Sequence, residues 1–468
     1  MEQVHYLLLR WRLLGARYPQ LAYLGACRHM QAADDTTGAA ILKDAIARHV
    51  PVAAACPDPD RAVMVCGTLG GGGAERQIVN TALELQARAN AQVTVLCQNL
   101  SVGSNDFFRQ QLVDAGVSVA EVPRTPWSCA AGWRDRVSWR ASGLGQHGLS
   151  DIVRIAAALR EFAPSVVHAW LDEMNVKAGL AAAAAGVPRI VLGGRSVAPW
   201  RFAIYRPYLR HGYRLLCADP RVSLLNNSRA GAHDYARWLG VAPERIRVVR
   251  NGLALDELER PGADAVRRWR HAHGLPPGGP TVGGIMRFTE EKEPLLWVHA
   301  VAMVLESNPG AAAVLVGNGP LLARACRLAK RLGLADRIRF TGLVRGPAIA
   351  IAAMDVLLLS SRYEGLPNVV IEAQAMGVPA VVTRRGGSAE AIEAGVTGWA
   401  VDELTPAALA APVNRILADS GWARAARGRA PDFVRERFAL QRMLRETLQV
   451  YGETFRPAKS EAAGRGDV

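Results

Sequence analysis

Two carboxylates, Glu364 and Glu372, stand with seven residues between them across the turn-prone loop Gly365-Leu366-Pro367-Asn368. The segment just before, Asp355 to Ser361 (DVLLLSS), is a short aliphatic run without alternation, the pattern of a buried parallel strand. The residues after the loop predict an apolar helix. This order puts Glu364 at the carboxyl end of a strand and Glu372 within the first helical turns. In open α/β sheets that crevice is where ligands bind. A helix N-terminus there offers unpaired backbone N–H groups and a positive dipole end to a phosphate. Carboxylates accept hydrogen bonds from neighbouring hydroxyls. An anion site flanked by two hydroxyl-binding acids suits a nucleotide-sugar.

Other strand ends converge on the same crevice. Gly283-Gly284-Ile285-Met286-Arg287 follows the predicted strand Thr281 to Ile285, with Lys292 five residues later. On a loop these cations are either solvated charges or, at this strand end, clamps for a diphosphate. Gly317-Asn318-Gly319-Pro320 closes the next strand with a tight turn, and Gly386-Gly387 follows the strand after the Glu372 helix. Nearer the N-terminus, Gly70-Gly71-Gly72-Gly73-Ala74-Glu75-Arg76 follows another strand. A dinucleotide site would place an acid for ribose at the end of the second strand, which instead ends in Cys97-Gln98. No phosphate-binding G-x-x-x-x-G-K-[ST] loop is present. The glycines permit close backbone approach to a ligand, or only close helix–strand packing.

Two series of strands alternating with helices must position these residues. The first has strands predicted at Ala62 to Cys66, Val93 to Cys97, Val117 to Val122, Val166 to His168, Arg189 to Leu192, Leu224 to Asn226 and Ile246 to Val249. The second has Thr281 to Ile285, Ala313 to Val316, Ile338 to Thr341, Val356 to Leu359 and Ala380 to Thr383. Such alternation implies doubly wound parallel sheets. We expect a helical extension over residues 1–60, domains over 61–255 and 256–431, a helix returning over 432–457 and a disordered tail over 458–468. The Pro-rich joint Cys56-Pro57-Asp58-Pro59-Asp60 contains a D-x-D; lying ahead of the first strand, it is not expected to hold a metal.

At 468 residues, two domains and an extension are the prior. Mean hydropathy is +0.06 without an apolar run long enough to span a bilayer. The N-terminal MEQVHYLLLRWRLLGARYPQ, interrupted by Arg10, Arg12 and Arg17, is a poor signal peptide. Seven scattered cysteines without a C-x-x-C point to a reducing cytoplasm. The formal net charge of +14 reflects either an Arg-rich genome or an anionic partner. No recognised motif directs it to nucleic acid. Trp200-Arg201-Phe202, with Tyr205-Arg206-Pro207-Tyr208-Leu209-Arg210, suits either a bilayer interface at the inner face of the plasma membrane or a packed basic helix. The stretch 124–140, with Trp127, Trp133 and Trp139, is similar in character.

The segment EGLPNVVIEAQAMGVPAVVT, followed by GGSAEAI and TGW, resembles the donor signature of retaining family 4 (group 1) glycosyltransferases of GT-B fold. So do GGAER at 72–76, NNSRAGAHDY at 226–235, IRVVRNG at 246–252, LVGNGP at 315–320, FTGLV at 340–344 and ERF at 436–438. The resemblance implies two Rossmann-like domains facing across a cleft. It implies that Glu364 contacts the donor sugar near the reaction centre and that Glu372 holds the ribose. Arg287 and Lys292 would neutralise the leaving diphosphate, while backbone N–H groups at Asn368 and Val369 cap it. Gly365, Leu366, Gly317, Asn318 and Val344 would complete the donor site. Gly72, Gly73, His168, Glu173 and Arg195 would lie on the acceptor side. No metal and no cofactor beyond the nucleotide-diphospho-sugar co-substrate is expected, and the acceptor would be a saccharide or lipid-linked saccharide.

One departure stands out: where many relatives have a second His, two residues after His168, this chain has Trp170. The polar role would pass to Asp172, Glu173, Asn175 or Arg195. A hydrolase or epimerase on the same fold, or a non-catalytic carbohydrate-binding subunit, are the competing readings. Two acids on one loop and its helix, rather than on opposing walls, argue against the acid and base of a hydrolase.

Overall fold

The computed structural model describes residues 56–455 apart from 90, 102, 104, 124–144, 204, 256, 257, 259 and 345. The expected N-terminal helices, the Trp-rich stretch 124–140 and the tail lie outside the described residues.

Strands β1 (Asp58–Cys66), β2 (Gln92–Cys97), β3 (Ser118–Glu121), β4 (Pro164–Trp170), β5 (Arg189–Gly194), β6 (Val222–Asn226) and β7 (Ile246–Val248) form one sheet, ordered β3-β2-β1-β4-β5-β6-β7. Strands β8 (Thr281–Ile285), β9 (Ala312–Val316), β10 (Ile338–Gly342), β11 (Val356–Leu359), β12 (Ala380–Thr383) and β13 (Gly398–Val401) form a second, ordered β10-β9-β8-β11-β12-β13. Neighbouring strands run parallel. Central strands such as β4 (PSVVHAW) and β9 (AAVLV) are buried along their whole length. Helices cover both faces of such a sheet, which is why its strands show no alternation. Each sheet changes winding direction once, between β1 and β4 in the first and between β8 and β11 in the second. Those are the switch points where a crevice opens outside the strand ends. Arg287 and Lys292 follow β8, and Glu364 follows β11. Topology alone therefore brings these three to one place.

Three expectations need correction. The D-x-D does not precede the first strand: β1 begins at Asp58, and its first residues pair with the start of β4 across an irregular register. Strand β13 was not expected, because Gly398-Trp399-Ala400-Val401 is too short and mixed to stand out. It completes the edge beside β12. The C-terminal helical stretch is not continuous from 432. One helix runs Ser420–Phe438 through Pro431, the backbone turns extended at Ala439, and a second runs Leu440–Tyr451.

The break at Ala439 is where the chain crosses back to the first sheet. Leu253 N donates to Phe438 O at 2.7 Å, and Leu253 and Ala439 form an isolated parallel bridge, so the two crossing segments run side by side. Helix Leu440–Tyr451 then buries Met443, Leu444, Val450 and Tyr451 against Ile78 and Leu85 of the helix Gly73–Arg88. At its end the Tyr451 hydroxyl lies 3.1 Å from His168 Nδ1. His168 is buried, and its Nε2 has no hydrogen-bond partner among the described residues. Burial, with a contribution from the Arg195 charge, holds its imidazole well below the ordinary value.

The folded ring stays neutral where the unfolded one gains a proton. This group's contribution to stability is therefore complete above about pH 6.5 and falls, by up to about 1.4 kcal/mol per pH unit, as pH drops towards the folded value. Urea titrations from about pH 7.5 to about pH 5 should show that slope in the wild type and lose it in His168→Gln. Equal slopes in both proteins would show that His168 is not the group responsible.

Candidate active site

The second switch point assembles Glu364 from three sides. Its Oε1 accepts hydrogen bonds from Lys292 Nζ and, at 2.8 Å, from Ser361 Oγ. Ser360 Oγ donates to Lys292 O at 2.9 Å, tying the two strand-end loops together. Thr383 Oγ1 donates to Ser361 O at 2.6 Å. The Glu364 backbone is packed against Gly386, whose φ is 86° and where a Cβ would stand 2.1 Å from Glu364 O, so only glycine fits. Lys292 and Glu364 are both largely buried, with side chains 17% and 11% exposed, so their pair is held in geometry rather than solvated. Arg287 sits outside this knot on the exposed rim, 3.5 Å from Glu291.

Glu372 lies within the helix Asn368–Ala375, which begins after Pro367 with no side chain capping its N-terminus. Burial raises its carboxyl above the usual range, opposed by the Arg76 charge. Arg76 Nη1 donates to Glu372 Oε1, although Arg76 belongs to the helix that follows the glycine loop of the first sheet. The two domains therefore meet across the 365–368 loop. Asn368 Nδ2 donates to Gly73 O at 3.0 Å, and its Oδ1 accepts from Asn251 Nδ2 at 2.7 Å. Asn251 Nδ2 also reaches Leu366 O at 2.8 Å. Gln77 exchanges two 2.9 Å hydrogen bonds with the backbone of Gly252. Glu390, at the turn after β12, accepts from Ala230 N and from Arg250 Nη2, each at 3.0 Å.

Of the expected donor-side residues, Gly365 and Leu366 lie on this loop, and Asn368 and Val369 open the helix after it. Gly317 and Asn318 buttress it indirectly: Phe288 N donates to Asn318 O at 2.9 Å, bracing the β8 loop. Val344 packs at the margin of the second domain's core. The acceptor-side set is dispersed. Gly73 O accepts from Asn368 Nδ2, while the space beside Gly72 is filled by the Glu75 carboxylate. Arg195 is half-buried, with its guanidinium 3.6 Å above the Trp170 ring, and donates to Asn251 Oδ1 at 3.3 Å. Burial pulls its pKa below the ordinary value. His168 is clasped by Tyr451 and stacked on Trp170 at 4.6 Å. Glu173 stands at the surface, paired with Lys177 at 2.5 Å. Asp172 accepts from the Tyr213 and Tyr235 hydroxyls at 2.9 and 2.5 Å, and Asn175 donates to Tyr213 at 2.8 Å.

Sequence reasoning gave no role to Asn251, Gln77, Glu390 or Arg76. Arg76 and Asn251 stand in segments already singled out, GGAER and IRVVRNG, but their partners are far away in the chain.

Two doubly wound sheets, with one switch point bearing the acid–cation cluster and the other supplying the facing glycine loop, are the architecture of GT-B glycosyltransferases. The sequence agrees. Residues 266–431 match the model of glycosyl transferases group 1, and residues 71–257 match glycosyltransferase family 4. The 2-deoxystreptamine glucosyltransferase of Streptomyces kanamyceticus is 30% identical over 358 residues, 71% of this chain and 88% of that protein. The chain belongs to the group 1 glycosyltransferase family. The Vi polysaccharide biosynthesis protein VipC/TviE of Salmonella typhi is 32% identical over 360 residues, 73% of this chain. The match spans only 62% of that relative's length, and 53% of a D-inositol 3-phosphate glycosyltransferase from Streptomyces bingchenggensis. Among solved structures, Anabaena Alr3699/HepE in complex with UDP and glucose aligns with a TM-score of 0.68 at 20% identity, covering 83% of this chain and 98% of that one.

Gly365 shows how tightly the domains are apposed: a Cβ there would stand 2.3 Å from Arg195 O and 2.5 Å from Asn227 Oδ1. Gly365→Ala should therefore hold the cleft open. Small-angle scattering should show a larger radius of gyration, while the melting temperature moves by less than about 3 °C because neither core is touched. Unchanged scattering would mean that the contact yields without separating the domains.

Proposed function

We propose that this protein transfers a glycosyl group from a nucleotide-diphospho-sugar to a hydroxyl of a saccharide or lipid-linked saccharide, with retention, in polysaccharide or glycoconjugate synthesis. The observation that carries this reading is the buried Lys292–Glu364 pair at the second switch point, with Glu372 on the helix that starts from the same loop. Support for the donor comes from the solved Anabaena protein, whose complexes contain UDP and UDP-glucose. Support for the product class comes from the Salmonella relative, a polysaccharide biosynthesis protein.

On this reading Glu372 accepts the ribose hydroxyls and Glu364 a hydroxyl of the donor sugar. Lys292 turns from Glu364 towards the diphosphate as charge develops there, and Arg287 closes on it from the rim. The backbone N–H groups of Asn368 and Val369 cap the same oxygens. The anomeric carbon–oxygen bond to the phosphate breaks as the acceptor oxygen bonds to that carbon from the same face. The acceptor proton passes to the departing phosphate oxygen. Two cations and a helix end supply the positive charge, so the reading needs no metal or further cofactor.

An anionic membrane surface is the proposed site of action. Among the described residues no helix is long and apolar enough to cross a membrane. Half-exposed Trp200 and exposed Arg206 favour contact with a bilayer surface at the cytoplasmic face. Sedimentation with anionic liposomes at moderate salt tests this, and the protein should stay in solution with neutral ones.

Incubation with UDP-, GDP- and ADP-sugars, with and without acceptor saccharides, tests the reaction. Glycosylated acceptor with retained anomeric configuration is expected; free sugar or an isomer would establish a hydrolase or epimerase. Glu364→Gln should lower kcat/KM by about a hundredfold or more. Unimpaired turnover in that variant would remove Glu364 from the chemistry.

A further inference from the structure

The glycine-loop helix delivers two opposite charges to the donor site. Arg76 is bonded to Glu372, the carboxylate assigned above to ribose. Its neighbour Glu75 is partly buried on the same turn and feels the charge of Arg287, the cation assigned to the diphosphate. The Glu75-Arg76 dipeptide thus offers the donor site an anion on its cation side and donors on its ribose side. A bound nucleotide would offer the same two.

The environment of Glu372 explains why something must stand there. Its side chain is 6% exposed, and a carboxylate so far from water needs either a cation or several hydrogen-bond donors. Ribose supplies neutral hydroxyls; Arg76 supplies a charge-assisted N–H, the stronger partner. The Arg76 side chain is 35% exposed, so it can swing into solvent when displaced. Its backbone is less free, because Gly73 is held by Asn368 and Gln77 by Gly252.

We infer that Arg76 and the ribose of a nucleotide compete for the seat at Glu372, and that a nucleotide binds by displacing Arg76. Arg76 is then a residue that sets donor affinity without belonging to the donor grip. This rests on the assignment of Glu372 to ribose. Apparent affinity is reduced by the fraction of molecules in which the seat is taken. Removing the competitor should tighten binding, the opposite of what removing a ligand does.

Calorimetric titration of UDP, GDP and ADP into the full chain and three variants separates the possibilities. Glu372→Gln should weaken the nucleotide that binds by about tenfold. Arg76→Gln should bind it about three- to tenfold more tightly than the wild type. The double variant should match Glu372→Gln alone, since the gain requires the carboxylate. Arg76→Lys, which keeps the charge, should stay near the wild type, and circular dichroism establishes that each variant is folded. If Glu372→Gln weakens binding but Arg76→Gln weakens it too, or leaves it unchanged, the inference fails while the ribose assignment stands. If Glu372→Gln has no effect, or no nucleoside diphosphate binds any of the proteins, the ribose assignment fails and takes the inference with it.

Discussion

A carboxylate can be kept from water only where something positive or richly hydrogen-bonding meets it. This molecule buries two within one strand–loop–helix unit. Glu364 is met from within its own domain, by Lys292 and Ser361. Glu372 is met from the opposite domain, by Arg76. The first pairing is independent of domain position, whereas the second exists only while the domains approach. The site is therefore half preorganised and half conditional, and what makes it conditional is the partner of a single acid.

The contacts that join the domains divide the same way. The return helix buries Met443, Leu444, Val450 and Tyr451 in the first domain's core, a junction of apolar area that does not open under small forces. Around the 365–368 loop, besides the ion pairs of Arg76 with Glu372 and Arg250 with Glu390, the joins are neutral amide contacts, Asn251 with Asn368 and Asn368 with Gly73. Each contributes only about 0.5–1.5 kcal/mol net, because water satisfies the same groups when they part. The crossing segments at Leu253 and Ala439, paired by a short stretch of parallel backbone, are the natural pivot between these unequal joins. A cleft built this way can open at the loop while staying fastened at the return helix.

What the sequence made legible follows the same physics. Strands buried on both faces must be aliphatic throughout, so nearly all of them announced themselves. The exception, β13, lies at an edge and is only partly covered. The turn at Ala439 was hidden because Pro431, an apparent breaker, sits inside a helix, while the real break falls on an ordinary alanine. Glu364, Glu372 and Lys292 were legible because strand order alone brings strand ends together. Arg76 was not, since its partner lies 296 residues away and depends on how two domains face each other. His168, at a strand end, suited a structural role as well as an acceptor-binding one; the return helix shows that its Nδ1 is engaged.

The first switch point follows a different rule from the second. Asp172 already holds two phenol hydroxyls and Asn175 bridges Tyr213 and the Gly193 N–H, whereas Arg195, resting on Trp170 and bonded to Asn251, keeps a buried Nε without a partner among the described residues. Recruiting Asp172 or Asn175 to a ligand would leave a buried group unpartnered, at a cost of about 1–3 kcal/mol each. That exceeds the net return of the new hydrogen bond. Trp170 fits this arrangement: a fully buried indole gives the Arg195 guanidinium a face to rest on, where an imidazole would have brought a second titratable ring beside His168. Asp172 and Asn175 thus act as scaffold at this switch point, while Arg195 Nε and His168 Nε2 still lack partners among the described residues.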